Sequence, residues 1–232
     1  GFKPRAGTAC LLPGQPGDPP QALLVASTPP EPWDASSLYA ALPPGDWQLA
    51  DAEGLLPPEL AVLGWALAAY RFARYRRDEA EQPRLVLPEG AAVNRALAIA
   101  QATWLARDLI NTPANDLGPA ELADAIEAEA HRFGATCHTI AGDALLEANY
   151  PAIHAVGRAS PRAPRLVDLR WGDPAAPLVT LVGKGVCFDT GGLDLKNDAG
   201  MKLMKKDMGG AAHALGLAEM VAAARLPVRL RV

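Results

Sequence analysis

Apolar residues recur along this chain in two different patterns. Short apolar runs bounded by turn-forming residues predict strands. These runs are residues 8–12, 22–26, 84–87, 135–140, 166–170, 178–182 and 228–232. Apolar residues spaced three and four apart predict helices. These segments are residues 58–76, 91–110, 118–134, 142–149 and 209–224. Strands that alternate with helices favour an α/β fold with a mainly parallel sheet flanked by helices.

A charged stretch, Arg74–Gln82, predicts a domain boundary, because few contacts cross such polar segments. We expect residues 1–80 to form a small α/β N-terminal domain and residues 81–232 to begin a larger one. The last residues enter a strand rather than leave a domain, and the first residue is not Met. Both ends are therefore expected to be cut.

Composition excludes several classes of partner. The chain has 232 residues and a net charge of −4, without the basic stripe that nucleic acids or anionic membrane surfaces require. No apolar run is long enough to span a bilayer. Its three cysteines are odd in number and far apart, so they predict reduced thiols in a cytoplasmic protein.

Most of the candidate chemistry lies in one Gly-rich loop between a predicted strand and the last predicted helix. The candidate residues in this loop are two of its lysines and two of its aspartates: Lys184, Asp189, Lys196 and Asp207. Aspartate carboxylates are hard oxygen donors that suit divalent cations. Lys184 directly follows a run predicted to be a buried strand. Burial favours the uncharged amine, which can ligate a metal.

Each of these residues also has a structural interpretation. Lys184 could pair with a carboxylate, and Asp189 could cap the backbone of its own turn. Lys196 could be a solvated loop lysine, and Asp207 could be a carboxylate favoured by the dipole of the helix that follows. The apolar Met204 could line a pocket or pack inside the protein. A phosphate-binding loop of the Walker type is excluded, because glycine rather than Ser or Thr follows the lysine.

The same loop is similar to the signature of the leucyl (cytosol) aminopeptidase family. The matching residues, in ungapped order, are Gly183-Lys-Gly185, Phe188-Asp-Thr-Gly-Gly192, Lys196 and Met204-Lys-Lys-Asp-Met-Gly-Gly210. A second segment, Arg107–Pro119, matches upstream, and the resemblance is clear from about Leu85 onward. It implies that residues 81–232 are the first part of a two-metal aminopeptidase catalytic domain with the metallo-exopeptidase-like α/β fold.

The resemblance also implies a role for each matching residue. Lys184, Asp189 and Asp207 would be metal ligands, and Asp189 would bridge two divalent ions. Lys196 would be a catalytic residue that contacts the substrate and polarises the scissile carbonyl. Met204 would line the pocket for the first side chain of the substrate. The ions would be Zn²⁺ or Mn²⁺, with Mg²⁺ also suited, and the complete site would hold a bicarbonate.

By the same resemblance, we expect a metal-dependent aminopeptidase that releases N-terminal amino acids from peptides by metal-activated water. It would be a cytoplasmic homohexamer with peptides as substrates and without nucleic-acid or membrane partners. The family carries a further Asn-Thr-Asp-Ala-Glu-Gly-Arg segment downstream, which these 232 residues lack. Two alternatives therefore stay open: an inactive fragment, and a non-catalytic family member with a structural or DNA-binding role.

Several neighbouring residues carry no predicted chemistry. Lys205 and Lys206 are expected to face solvent. Cys187 is expected to be a small buried hydrophobic residue, and His213 a hydrogen-bonded histidine in the core. Asn111–Asp116 is expected to be a structural turn that joins two helices.

Overall fold

Strands and helices alternate through the computed structural model, which describes residues 2–15, 17–50, 54–76 and 80–232. The chain divides into two compact units, residues 1–104 and residues 105–232. This division falls within a single long helix. The charged stretch predicted as a boundary lies partly outside the described residues, and a boundary between residues 80 and 81 stays a prediction.

Two small sheets belong to the first unit. β1 (Thr8–Leu11) and β2 (Ala22–Val25) form an antiparallel ribbon, which confirms two predicted strands. β3 (Gly45–Trp47) pairs in parallel with β4 (Pro83–Leu85). β3 was not predicted from the sequence, because three residues are too few to show a periodic pattern of apolar positions.

Two packed helices complete the first unit. α1 (Pro32–Ala41) lies against α2 (Pro58–Ala69), and the contact is close at Gly64, where a Cβ would lie 1.6 Å from the Pro32 carbonyl oxygen. α1 was not predicted from the sequence, because the proline cluster that precedes it is typical of a loop. Pro32 instead occupies the first turn of the helix, where its missing N–H is not needed. α2 ends well before the predicted residue 76.

The second unit contains a four-stranded sheet and most of the helices. The chain enters it through α3 (Ala91–Asn111). The strands are β5 (Thr136–Ala141), β6 (Arg165–Trp171), β7 (Leu178–Thr180) and β8 (Arg229–Arg231). The helices are α4 (Pro119–Arg132), α5 (Ala144–Glu147), α6 (Pro151–Gly157), α7 (Asp198–Met201) and α8 (Gly209–Ala223). A 3₁₀ turn, Met204–Met208, leads directly into α8.

The strands are ordered β5–β6–β8–β7, and their pairing is mixed. This confirms the α/β class, but among the described strands of this sheet only β7 and β8 are parallel. Ala141, which ends β5, lies opposite Arg165, which begins β6, so the short helices α5 and α6 return the chain to the same end of the sheet. By contrast, α8 is long enough to carry the chain back across the sheet between parallel strands.

β7 lies at the edge of the sheet, and this corrects one expectation. The run 178–182 was predicted to be a buried strand, but β7 is exposed because it has one neighbouring strand, and Val182 beyond it is 91% exposed. β8 lies between β6 and β7, and its Leu230 is buried. Among the described residues, no helix is both long enough and apolar enough to cross a lipid bilayer.

Candidate metal centre

The loop that joins β7 to α8 brings the charged residues to the beginning of the helix. The Ala211 N–H donates a 2.9 Å hydrogen bond to the Lys184 carbonyl oxygen, which ties the loop to the first turn of α8. Glycine is required at residue 183, because a Cβ there would lie 2.6 Å from the Ala211 Cα. The close contact places Lys184 directly beside the turn that precedes α8.

Lys184 and Asp207 form the first charged pair of this site. The Lys184 Nζ donates a 2.7 Å hydrogen bond to Asp207 Oδ2. The Asp207 side chain is only 12% exposed, whereas that of Lys184 is 58% exposed. Lys184 is therefore not buried, and the expectation of burial at this position was wrong. The pairing with a carboxylate, which the sequence left open, is what the structure contains.

Asp189 and Lys196 form the second pair. The Lys196 Nζ lies 2.7 Å from Asp189 Oδ2 and donates to the Asp189 carbonyl oxygen at 3.1 Å. Asp189 Oδ1 accepts a 2.8 Å hydrogen bond from the Gly191 N–H, so this residue also caps its turn. Gly191 has a φ of +91° and lies so close to the Asp194 carbonyl oxygen that a Cβ would clash. Lys196 is thus a paired residue rather than a solvated one.

The two pairs influence each other electrostatically. The hydrogen bond from Lys196 and then the Gly191 N–H hold the pKa of Asp189 below its usual range, and the positive charges of Lys196 and Lys184 add to this effect. Lys184 therefore acts on both aspartates. We call Lys184, Asp189, Lys196 and Asp207 the charged cluster.

The neighbours of the charged cluster differ in part from expectation. Met204 is half-buried at the beginning of the 3₁₀ turn, so pocket lining and packing both stay open. Burial raises the pKa of Cys187 to about 11, so its thiol stays protonated at neutral pH and is a poor nucleophile. His213 was expected in the core but is exposed, and its Nδ1 lies 2.6 Å from the Gly209 carbonyl oxygen in the preceding turn.

Lys205 does not face solvent as expected. It is half-buried, and its Nζ donates a 2.7 Å hydrogen bond to the carbonyl oxygen of Asn111. The sequence offered one signal for this contact. In a 3₁₀ turn, residues three apart share a face, and Lys205 is three residues before the apolar Met208. Lys206 is 56% exposed, as expected.

The charged cluster fits part of a metal centre. Each carboxylate already holds a cationic group at 2.7 Å, so the geometry of both aspartates suits a positive charge. The donors are two carboxylates and an amine, a mixed set suited to Zn²⁺, Mn²⁺ or Mg²⁺. Across residues 2–15, 17–50, 54–76 and 80–232, no group of three or more His, Cys, Asp or Glu side chains could hold an ion. The charged cluster could therefore supply only part of the ligands of a metal site.

Comparison with known families matches both the N-terminal and the C-terminal part of the chain to one family of aminopeptidases. The model of the cytosol aminopeptidase family, catalytic domain, matches residues 104–232, and that of the M17 aminopeptidase N-terminal domain matches residues 1–88. The probable cytosol aminopeptidase of Rhodococcus jostii is 38% identical over 185 residues. That alignment covers 72% of this chain and 37% of the relative.

Solved structures give the same result over nearly the whole chain. The cytosol aminopeptidase of Coxiella burnetii is 49% identical, with a TM-score of 0.92 over 100% of this chain and 50% of that one. The bottromycin maturation enzyme BotP, solved in complex with Mn, is 36% identical with a TM-score of 0.85, covering 98% of this chain and 52% of that one. The chain thus spans about half the length of these solved structures and less than half that of the curated relative.

Proposed function

The chain belongs to the cytosol aminopeptidase family, and on this premise we propose that its protein is a metal-dependent aminopeptidase that releases N-terminal amino acids from peptides. The observation that supports the proposal most directly is the charged cluster. Two carboxylates and two lysines converge in one loop, and the amines lie 2.7 Å from the carboxylate oxygens. Both aspartates therefore already lie against positively charged groups, an arrangement that suits cation binding.

The residues of the charged cluster divide into ligands and a catalytic residue. Lys184, Asp189 and Asp207 would hold divalent ions, which polarise a carbonyl and lower the pKa of water when bound. The Mn bound in the structure of BotP supports a divalent ion in this site. Zn²⁺ and Mg²⁺ suit the same donors. A bicarbonate in the complete site belongs to the same proposal.

Lys196 would act on the substrate directly. Its ammonium is held by the carboxylate and the carbonyl oxygen of Asp189, which fixes its position beside the ligands. From there it would bind the scissile carbonyl oxygen and stabilise the negative charge that develops on it, in the manner of an oxyanion-hole donor. Met204, half-buried in the adjacent turn, would contact the first side chain of the peptide.

Three further features belong to this proposal. We place the protein in the cytoplasm, because its curated relatives carry the name of cytosol aminopeptidases. Its partners would be peptides and further copies of itself in a hexamer. The net charge of −4 gives no support to binding of nucleic acid or of an anionic membrane surface.

Chelation of the complete product of the gene that encodes this chain tests the proposal. We expect hydrolysis of aminoacyl-p-nitroanilides, loss of activity with EDTA, and recovery with Mn²⁺ or Zn²⁺. Asp189→Asn and Asp207→Asn should lower kcat/KM by about 100-fold or more, because the loss of an outer-shell partner already costs 10–100-fold. Asp198→Asn, which alters a third aspartate in the same loop, is the matched control and should keep normal activity. Full activity with metal content near zero would refute the proposal.

A further inference from the structure

Lys205 lies two residues before Asp207 and binds the end of α3, a helix that is distant in the chain. Its Nζ donates to the backbone oxygen of Asn111, the last residue of α3, at 2.7 Å. Carbonyl groups in the last turn of a helix have no N–H partner within that helix, and the helix dipole favours a cation there. A charge-assisted hydrogen bond therefore links two segments that lie 94 residues apart in the chain.

The geometry of the 3₁₀ turn sets which residues share a face. With three residues per turn, side chains at i and i+3 lie above one another. Lys205 therefore shares a face with Met208, and Met204 shares the next face with Asp207. The third face carries Lys206, which is 56% exposed. The proposed substrate and metal contacts thus lie on one face, and the attachments to the protein lie on another.

Both residues of the attachment face contact the interior of the second unit. Met208 is 1% exposed and belongs to the apolar cluster that also contains Ala106 and Leu109 of α3. Immediately after it, a Cβ added at Gly209 would lie 3.6 Å from the Ile110 side chain. The 3₁₀ turn therefore rests on the last turns of α3, and Lys205 provides its polar attachment.

We infer that Lys205 is a positioning residue that orients Asp207 toward the metal by fixing the rotation of the 3₁₀ turn on the end of α3. The inference rests on the proposed function. Apolar packing of Met208 is non-directional, so it holds the turn against the core but resists rotation weakly. The hydrogen bond of Lys205 to Asn111 is directional. Without it, Asp207 and Met204 would turn together, because they share a face.

Titration of the complete gene product with Mn²⁺ alone tests this inference. Lys205→Met keeps the length of the side chain and removes the donor, whereas Lys205→Arg keeps a donor. Lys202→Met, at an exposed lysine of the same loop, is the matched control. We expect Lys205→Met to weaken Mn²⁺ binding by about 10-fold, the lower end of the effect of removing a residue that orients a metal ligand. Lys205→Arg should recover most of the affinity, and Lys202→Met should match the wild type.

Two further measurements separate positioning from a purely structural role. The visible spectrum of Co²⁺ bound in place of Mn²⁺ reports ligand geometry, and we expect it to change in Lys205→Met and to return in Lys205→Arg. The melting temperature should fall by about 4 °C or less, which is the effect of losing roughly one hydrogen bond in a chain of this size. Should Lys205→Met fail to fold, Lys205→Leu, which also removes the donor but has a shorter side chain, takes its place in the same comparison.

The outcomes also separate this inference from the proposed function. Unchanged Mn²⁺ affinity and an unchanged Co²⁺ spectrum in Lys205→Met, with normal binding by the wild type, would overturn the positioning role and leave the metal centre intact. A wild-type protein that binds no Mn²⁺ would overturn both. A loss of affinity that Lys205→Arg does not recover would also overturn the inference, because it would not depend on the donor.

Discussion

Lys196 differs from the other lysine of the charged cluster in how it is held. Its ammonium contacts both a carboxylate oxygen and the backbone oxygen of Asp189, whereas the Lys184 ammonium donates to the carboxylate of Asp207. We predict that Lys196→Ala lowers kcat by about 10²–10³, the usual effect of losing one oxyanion donor, and leaves metal content unchanged. Steady-state kinetics with metal analysis of the complete gene product would measure both quantities.

Lys202→Ala is the matched control for this prediction, because it removes an exposed lysine six positions further along the same loop. It should leave kcat unchanged. If Lys196→Ala lost metal but turned over normally once metal was resupplied, Lys196 would be a ligand or a structural residue and the assigned role would be wrong.

Contacts within the charged cluster were only partly predictable from sequence. The turn glycines and the two aspartates predict a cation site, and this stays a prediction; in the structure the two aspartates pair with lysine side chains. Which lysine pairs with which aspartate depends on how the loop folds back on α8, and local residue patterns do not contain that information. The contact of Lys205 with Asn111 was missed for the same reason, since 94 residues separate the two partners.

Pairs of charged residues also hold the central strands together. Asp168 of β6 accepts two hydrogen bonds from Arg231 of β8, at 2.9 and 3.0 Å, and two from Arg170, at 2.8 and 3.3 Å. Burial alone would raise the pKa of Asp168, but the bonds from Arg231 and Arg170 outweigh it and hold this pKa below the usual value. A carboxyl group whose pKa is lowered by folding stabilises the fold above its unfolded-state pKa of about 4.

We predict that Asp168→Asn weakens the pairing of β6 with β8 at neutral pH. The cost should be about 1 kcal/mol, because the arginine partners are half-exposed and solvent screens the pair. The adjacent amides of Leu169 and Val232, which each donate to the other's carbonyl oxygen, should exchange about fivefold faster. The difference should fade as the pH falls through the lowered pKa, because Asp168 then becomes neutral in the wild type too.

The exposed pair of Asp46 and Arg84 provides the control for Asp168→Asn. Both of its side chains are largely exposed and solvent screens the pair, so Asp46→Asn should leave the stability of the fold essentially unchanged. An Asp168→Asn effect that stayed the same size at low pH, after correction for the intrinsic exchange rate, would show that the ion pair is not its source.

Element types were more predictable than their pairing. The long helices α3, α4 and α8 follow a strong apolar rhythm, and their predicted ends lie within a few residues of the observed ones. The direction of β6 relative to β5 was not predicted, because the sequence indicated a single short helix over residues 142–149 between the two strands and α6 was missed. Because α5 and α6 are short, they return the chain to the end of the sheet where β5 finishes, and β6 is therefore antiparallel to β5.

At the scale of the whole molecule, the most unusual feature is the apolar surface around the loop. Large exposed side chains accompany β7 and the charged cluster; they are Leu178, Val182, Leu193, Leu195 and Leu203. Contiguous apolar patches on a protein surface mark places where other groups bind. The chain also spans only half of the Coxiella burnetii enzyme that it resembles. Both observations bear on whether these 232 residues can bind metal and hydrolyse peptides by themselves.

The last prediction therefore concerns the 232-residue polypeptide by itself. We expect it to bind Mn²⁺ weakly and to show no peptidase activity. Each ion needs about four to six donors, whereas the charged cluster offers two carboxylates and one amine for two ions. Both carboxylates are also engaged by lysines, so a metal would have to displace an existing ion pair. The purified polypeptide, with its mass confirmed, would be titrated with Mn²⁺ and assayed beside the complete gene product. Tight binding of two equivalents with measurable turnover would contradict this prediction, and would mean that the remaining ligands come from a second copy of the chain or from residues assigned here to structure.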